Sequence, residues 1–317
     1  MKTFNNILLA RDFSPSSSPA LRHAVTIARE NDATLRVLYA NVLHADPFGE
    51  TYVGERSDEQ IRMKLREETE HALRFEKLDT DGVEITYHVE RDVAPGPAIL
   101  TFAEESATDL IVIGTHGRRG LRRMLLGSVA EEVVRLATSP VLTVPAHTET
   151  QLPFKSILVP VDFSEHSRET LRAARDLARR HDAKLTLLHV VEDHLPPSFY
   201  TGSVFSAQRE ETKLVEKARK ELAQLASDVG GGEGLEHDFR AESGHAADRI
   251  AEFVEANDVD LVMMATHGRT GLTRFALGSV AEKVLRTVRC PMLTRKAFPE
   301  VARERRQQEM EAAAGQE

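Results

Sequence analysis

Glycine and serine occur in the first half of the chain at a spacing suited to binding phosphate. Gly114 and Gly117 are separated by two residues, and Gly127-Ser128 follows after nine more. Glycine allows a ligand to approach the backbone closely, and it allows turns with positive φ. The start of a helix presents free N–H groups and the positive end of the helix dipole to an anion. The pattern therefore predicts a polyphosphate cradle between a strand end and a helix start.

The same pattern occurs again 151 residues further along. In the segments that begin at His116 and His267, 17 of 29 successive positions are identical. The second copy has alanine where the first glycine belongs, and its members are Ala265, Gly268, Gly278 and Ser279. A repeat this long indicates two tandem domains rather than a solenoid, whose repeats are roughly 20–50 residues long. We predict domain 1 at residues 1–146, domain 2 at residues 154–297 and a polar C-terminal tail at residues 298–317.

A purely structural explanation covers part of this pattern. The segments Ser128–Glu131 and Ser279–Glu282 both match S-x-x-E, the capping box that stabilises a helix start without any ligand. Capping explains the serines and glutamates, but it does not explain glycines at two elements or their repetition. Asp12 and Asp162 follow the opening apolar run of each unit. A structural role alone could also explain these two residues, because Asp is common as a turn or cap residue.

Apolar runs that alternate with helical patterns predict the fold. The runs lie at 5–10, 34–42, 83–89, 109–114 and 141–144 in the first unit, and at 156–161, 184–191, 235–241, 260–265 and 292–295 in the second. Strict alternation of strands and helices predicts the α/β class, with two tandem doubly wound domains that each contain a five-stranded parallel sheet. In such sheets ligands bind beyond the carboxyl ends of the strands, where the strand order reverses.

Taken together, these motifs resemble the universal stress protein family. The resemblance is carried by the openings ILLARDFS and ILVPVDFS, by THGRxGL, and by LGSVAE ahead of a proline-led final strand. It covers both units, about residues 3–296, as in a tandem member. It implies a Rossmann-like fold of the adenine-nucleotide α-hydrolase-like kind, and the binding of ATP with Mg²⁺. It also implies that the two domains pair within the chain through their last strands.

The resemblance further implies roles for individual residues. Asp12 and Asp162 would lie at the adenosine end, and Ala40 and Val190 would line the adenine pocket, where the family has valine. The residues that would hold ribose and phosphates are Gly114, Gly117, Gly127 and Ser128 in domain 1, and Ala265, Gly268, Gly278 and Ser279 in domain 2.

Each site departs from the family pattern at a different end. Ala265 replaces a glycine at the phosphate end of domain 2, and Ala40 replaces valine at the adenine end of domain 1. Arg11, where domain 2 has Val161, is expected to disturb the adenine end of domain 1. We therefore expect both sites to bind nucleotide, with different affinities.

Composition excludes several classes of protein. A chain of 317 residues has ample apolar surface for a core, and its net charge of −9 weighs against general nucleic-acid binding. The single cysteine, Cys290, cannot form an internal disulfide and fits a reducing compartment. No apolar run reaches the roughly 18 residues that a membrane helix needs. We expect a cytoplasmic protein that binds neither nucleic acid nor membrane.

Motifs of well-known nucleotide enzymes and hydrolases are absent from the sequence. It contains no P-loop, no G-x-G-x-x-G after the first strand and no G-x-S-x-G. We assign no catalytic and no metal-binding residue, and we interpret His116 and His267 as structural. The prediction is an ATP-binding universal stress protein that acts in the stress response as a nucleotide-dependent switch or binding module. The alternatives are a nucleotide-free interaction module and a slow ATPase, and association of two chains into a homodimer is left open.

Overall fold

The computed structural model describes residues 4–42, 57–115, 126–150, 152–192, 204–230, 235–266 and 277–296. Within these ranges, strands and helices alternate along the chain as predicted. In domain 1 the strands are β1 (Asn6–Ala10), β2 (Thr34–Val42), β3 (Ile85–Asp92), β4 (Leu110–Gly114) and β5 (Val141–Val144). The helices of domain 1 are α1 (Ser18–Asn31), α2 (Asp58–Phe75), α3 (Pro95–Glu105) and α4 (Ser128–Leu136).

Domain 2 repeats this order of elements. Its strands are β6 (Ser156–Pro160), β7 (Lys184–Val191), β8 (His237–Ser243), β9 (Leu261–Ala265) and β10 (Met292–Arg295). Its helices are α5 (Glu165–His181), α6 (Val204–Asp228), α7 (Ala246–Ala256) and α8 (Ser279–Thr287). The predicted tail at residues 298–317 lies outside the described residues, and the predicted domain bounds stay predictions.

The strands form one ten-stranded sheet, in the order β3-β2-β1-β4-β5-β10-β9-β6-β7-β8. Neighbouring strands within each domain run parallel. β5 and β10 run antiparallel, with Leu142 opposite Leu293 and Thr143 opposite Met292. The structure thus confirms two doubly wound α/β domains with five parallel strands each, and it joins them through their last strands within one chain.

Helices cover both faces of this sheet, so its central strands are buried on both sides. In β1, Ile7, Leu8 and Leu9 are all fully buried, which is typical of parallel sheets. Ile7 and Leu9 belong to the core cluster under α1, α2, α5 and α6, and Leu8 belongs to the cluster under α3, α4, α7 and α8. We call these faces the α1 face and the α3 face. Each cluster contains residues of both domains.

Among the helices that the structure describes, none combines the length and the apolar character needed to cross a bilayer.

Cys290 lies just before β10, and only 6% of its surface is exposed. Burial raises the pKa of its thiol to about 12, so the reactive thiolate is almost absent at neutral pH. We expect no measurable labelling of the native protein by iodoacetamide at pH 7.5, and complete labelling after unfolding in guanidinium. Mass spectrometry of both samples checks this, and fast labelling of the native protein would contradict the burial of the thiol.

Candidate functional site

The strand order reverses once in each domain, between β1 and β4 and between β6 and β9. The chain leaves β1 for α1 on the α1 face, and it leaves β4 for α4 on the α3 face. A crevice is expected at the carboxyl edge wherever neighbouring strands send their connections to opposite faces. The predicted site residues Asp12, Gly114 and Gly127 follow or end β1 and β4 at this edge.

Asp12 and Asp162 hold tight turns after β1 and β6. Asp12 Oδ1 accepts hydrogen bonds from the Ser14 N–H (3.1 Å) and the Ser14 hydroxyl (2.6 Å). Asp162 accepts the same pair of bonds from Ser164, at 3.0 and 2.6 Å. The structural interpretation of these aspartates as turn residues is therefore confirmed. Their role at an adenosine stays a prediction, with both carboxylates fixed at the edge of the sheet.

Ala40 and Val190 occupy equivalent places near the ends of β2 and β7. Ala40 lies opposite Glu90 in β3, and Val190 lies opposite Glu242 in β8. Val190 belongs to the core cluster of the α3 face, and Ala40 packs against the same cluster. The two side chains therefore project toward the α3 face of the sheet, and Ala40 is the smaller of the two.

Arg11 does not lie beside the predicted adenine pocket, which corrects the expectation from the sequence. Its side chain projects toward α2, where Nη1 donates a hydrogen bond to the Thr69 hydroxyl at 2.9 Å. Ala40 packs on the opposite face of the sheet. Burial lowers the pKa of the Arg11 guanidinium, and the nearby carboxylates of Glu68 and Asp12 raise it in part. The physical reason is strand alternation, which sends residue 11 to the same face as Leu9.

A buried threonine links the strand end to the helix start in each domain. The Thr115 carbonyl accepts a hydrogen bond from the Gly127 N–H at 2.7 Å, and the Thr115 N–H donates to the Val144 carbonyl at 3.1 Å. In domain 2, Thr266 makes the equivalent bonds with Gly278 (2.9 Å) and Arg295 (3.2 Å). Neither threonine is among the site residues predicted from the sequence. Their recurrence in THGRxGL was the signal that could have identified them.

Glycine at the two helix starts allows a close backbone approach and does not supply a positive φ. Gly127 has φ −64° and Gly278 has φ −61°, which any residue adopts. A Cβ at Gly127 would lie 3.1 Å from the Thr115 carbonyl oxygen, and one at Gly278 would lie 3.2 Å from that of Thr266. The close approach is therefore to the chain's own backbone. The positive-φ explanation is wrong at these two positions.

The capping-box interpretation of α4 and α8 is also wrong. The N-cap residues are Gly127 and Gly278, which have no side chain, and neither helix has a side-chain cap hydrogen bond among the described residues. Ser128 and Ser279 are instead the first helical residues, and both are exposed. A true capping box does form in this protein, at Ser57 and Gln60 of α2. The first N–H groups of α4 and α8 therefore point out of the helix start without a capping side chain.

Gly114 and Ala265 end β4 and β9 at equivalent positions, in register with Val144 and Arg295. Gly117 and Gly268, with His116 and His267, lie outside the described residues, so their predicted roles stay untested. Within the described ranges there is no cluster of three or more metal-ligating side chains.

Comparisons with known proteins agree with this architecture. The family model described as "Universal stress protein family" matches residues 3–145 and 153–296. Universal stress protein MJ0531 of Methanocaldococcus jannaschii is 40% identical over 145 residues, covering 44% of this chain and 82% of its own length. Universal stress protein Rv2005c of Mycobacterium tuberculosis is 28% identical over 310 residues, covering 91% of this chain and 96% of its own.

Solved structures match the fold of the whole chain. A universal stress protein from Archaeoglobus fulgidus superposes with a TM-score of 0.62 at 22% identity, covering 92% of this chain and 96% of its own. Protein PA1789 from Pseudomonas aeruginosa, described as functionally unknown, gives a TM-score of 0.63 at 19% identity and covers 93% of each chain.

Proposed function

This chain belongs to the universal stress protein family, and we propose that both of its domains bind ATP and that the protein acts in the stress response as a nucleotide-dependent switch. In domain 1 the phosphates would lie at the start of α4, between Gly114, Gly127 and Ser128. In domain 2 they would lie at the start of α8, between Ala265, Gly278 and Ser279. Gly117 and Gly268 would complete the two loops.

The uncapped starts of α4 and α8 support this proposal most directly. A helix start leaves its first N–H groups without partners inside the helix, and a Ser, Thr, Asp or Asn side chain often binds one of them, as Ser57 does in α2 and Ser164 does in α5. The helices α1, α3 and α7 also lack such a bond, but none of these three has glycine at the N-cap. Here glycine occupies the N-cap position in both domains. Phosphate oxygens are the acceptors best suited to such a group of N–H donors.

The adenosine end is supported by the aspartate turns and by the apolar side chains of Ala40 and Val190 on the α3 face. Asp12 and Asp162 hold carboxylates at the edge of the sheet, where a ribose or adenine donor could reach them. Ala40 and Val190 provide apolar surface for an adenine ring. Because Ala40 is smaller than Val190 and Ala265 is larger than Gly114, the two sites should differ in affinity.

Mg²⁺ would enter these sites on the triphosphate. The described residues offer no cluster of three or more metal-ligating side chains, and Mg²⁺ commonly binds through substrate phosphates with only one or two carboxylates. When bound, the ion would neutralise part of the phosphate charge. The chain's own residues would hold and orient the nucleotide, and we assign no catalytic residue.

Purification of the full chain without added nucleotide tests this function. We expect ATP to be released on denaturation, near one or two equivalents per chain, and to be identified by ion-pair chromatography. Gly117→Val and Gly268→Val would each abolish the ATP bound by one domain, so each variant would release less ATP than the wild-type chain. If nothing is released, and if millimolar MgATP does not shift the melting temperature, ATP binding is wrong. The nucleotide-free interaction module then becomes the better explanation.

A further inference from the structure

The helices α4 and α8, at whose starts we propose that phosphate binds, are held close together by the pairing of β5 with β10. We call this pairing the seam between the domains. β5 and β10 pair over Val141–Thr143 and Met292–Thr294. Two side chains add bonds across this seam, from the Thr143 hydroxyl to the Met292 carbonyl (3.1 Å) and from the Thr294 hydroxyl to the Val141 carbonyl (3.2 Å). α4 precedes β5 and α8 precedes β10, so this pairing places the two helices on the same face of the sheet.

Arg286 of α8 reaches across the seam to α4. Its Nη2 lies 2.6 Å from Glu131 Oε2 in domain 1, and 3.1 Å from Glu282 Oε1 in its own helix. The side chains of Arg286, Glu131 and Glu282 are 34%, 28% and 42% exposed, so all three are partly shielded from water. One guanidinium therefore contacts one carboxylate from each of the two helices.

Both carboxylates lie in the first turn of their helices, next to the proposed phosphate positions. The Glu131 N–H donates to the Gly127 carbonyl, and the Glu282 N–H donates to the Gly278 carbonyl. A carboxylate near a helix start is attracted by the helix dipole, but it repels an anion that binds there. A positive charge on each carboxylate reduces this repulsion.

We propose that Arg286 of domain 2 is a positioning residue for ATP binding in both domains, because it neutralises Glu131 beside the phosphates of domain 1 and Glu282 beside those of domain 2. This inference rests on the proposed ATP binding. It makes the affinity of domain 1 depend on a residue of domain 2. Domain 1 makes no equivalent contact to domain 2. Its equivalent residue, Arg135, is exposed and forms no ion pair with any described residue.

The test is a titration of the full ¹⁵N-labelled chain with MgATP, followed by NMR. The amide signals of Val129 and Val280 report on the starts of α4 and α8 separately. We expect Arg286→Ala to lower the MgATP affinity reported by each of the two signals by roughly two- to fivefold, the range that a partly exposed ion pair contributes. Arg135→Ala is the matched control, since it removes the same charge four residues after Glu131, and it should leave both affinities unchanged.

Second substitutions separate this electrostatic role from a structural one. Adding Glu131→Gln to Arg286→Ala should restore the affinity at Val129 alone, and adding Glu282→Gln should restore it at Val280 alone. The inference is overturned if Arg286→Ala has no effect, if Arg135→Ala weakens binding as much, or if the glutamine substitutions restore nothing.

If the wild-type chain does not bind MgATP, the proposed function fails, and titration with inorganic tripolyphosphate decides the inference separately. If Arg286→Ala weakens tripolyphosphate binding and the glutamine substitutions restore it, the role of Arg286 in neutralising Glu131 and Glu282 is supported. No binding of tripolyphosphate at either helix start would overturn it.

Discussion

Replacing Ser128 with aspartate is expected to weaken ATP binding in domain 1 by roughly ten- to a hundredfold, since hydrogen bonds to a charged group contribute about 1.5–3 kcal/mol each. Ser128 is the first residue of α4 and is exposed, so the new side chain fits without disturbing the core. Its carboxylate would occupy the helix start and repel the phosphates. The fold should be at least as stable as before, because an acidic residue at a helix start typically adds about 0.3–1 kcal/mol.

This combination of lower affinity and unchanged or higher stability is one that a folding defect cannot produce. Calorimetric titration with MgATP measures the first quantity, and thermal unfolding without nucleotide measures the second. Ser279→Asp provides the matched variant in domain 2, and each substitution should spare the other domain. Ser128→Ala removes the hydroxyl without adding charge and should give an intermediate affinity. Unchanged ATP binding in Ser128→Asp would place the phosphates elsewhere.

Replacing Leu142 with alanine is expected to lower the free energy of unfolding by about 2–5 kcal/mol, as large-to-small substitutions in a core do. Leu142 lies in β5, is 2% exposed and is opposite Leu293 of β10. It belongs to the core cluster of the α1 face, which contains residues of both domains. The cavity would therefore form at the seam between the domains. We expect the two domains of the variant to unfold in separate transitions.

Urea unfolding followed by circular dichroism measures this change. The matched control is Leu214→Ala in α6, because Leu214 is 47% exposed and its truncation should cost at most about 0.5 kcal/mol. Equal effects of the two substitutions would show that the seam contributes little to stability.

Most elements of the fold were predictable from hydrophobic patterns alone. The predicted bounds of β5, β7 and β10 agree with the structure, because each is a compact apolar segment between clear breaks. β3 was predicted at 83–89 and lies at Ile85–Asp92. Its residues are only partly buried, so the apolar pattern that defines a strand is weaker there.

The sequence by itself determined the duplication, the alternating α/β order and the positions of glycine and serine near the strand ends, because these follow from local patterns and from comparison of the chain with itself. It did not determine how α4 and α8 begin. The S-x-x-E pattern allowed serine as the N-cap as an alternative explanation, whereas in the structure the Thr115 and Thr266 carbonyls accept hydrogen bonds from the Gly127 and Gly278 N–H groups, and glycine is the N-cap.

Only the tertiary structure decided which charges meet. Arg286 contacts Glu131, 155 residues away in sequence, because β5 and β10 pair antiparallel and bring the two helices together. Arg135 has the same spacing to Glu131 that Arg286 has to Glu282, yet it faces solvent. Spacing along a helix fixes which residues share a side of that helix, but what lies opposite that side depends on how the domains pack.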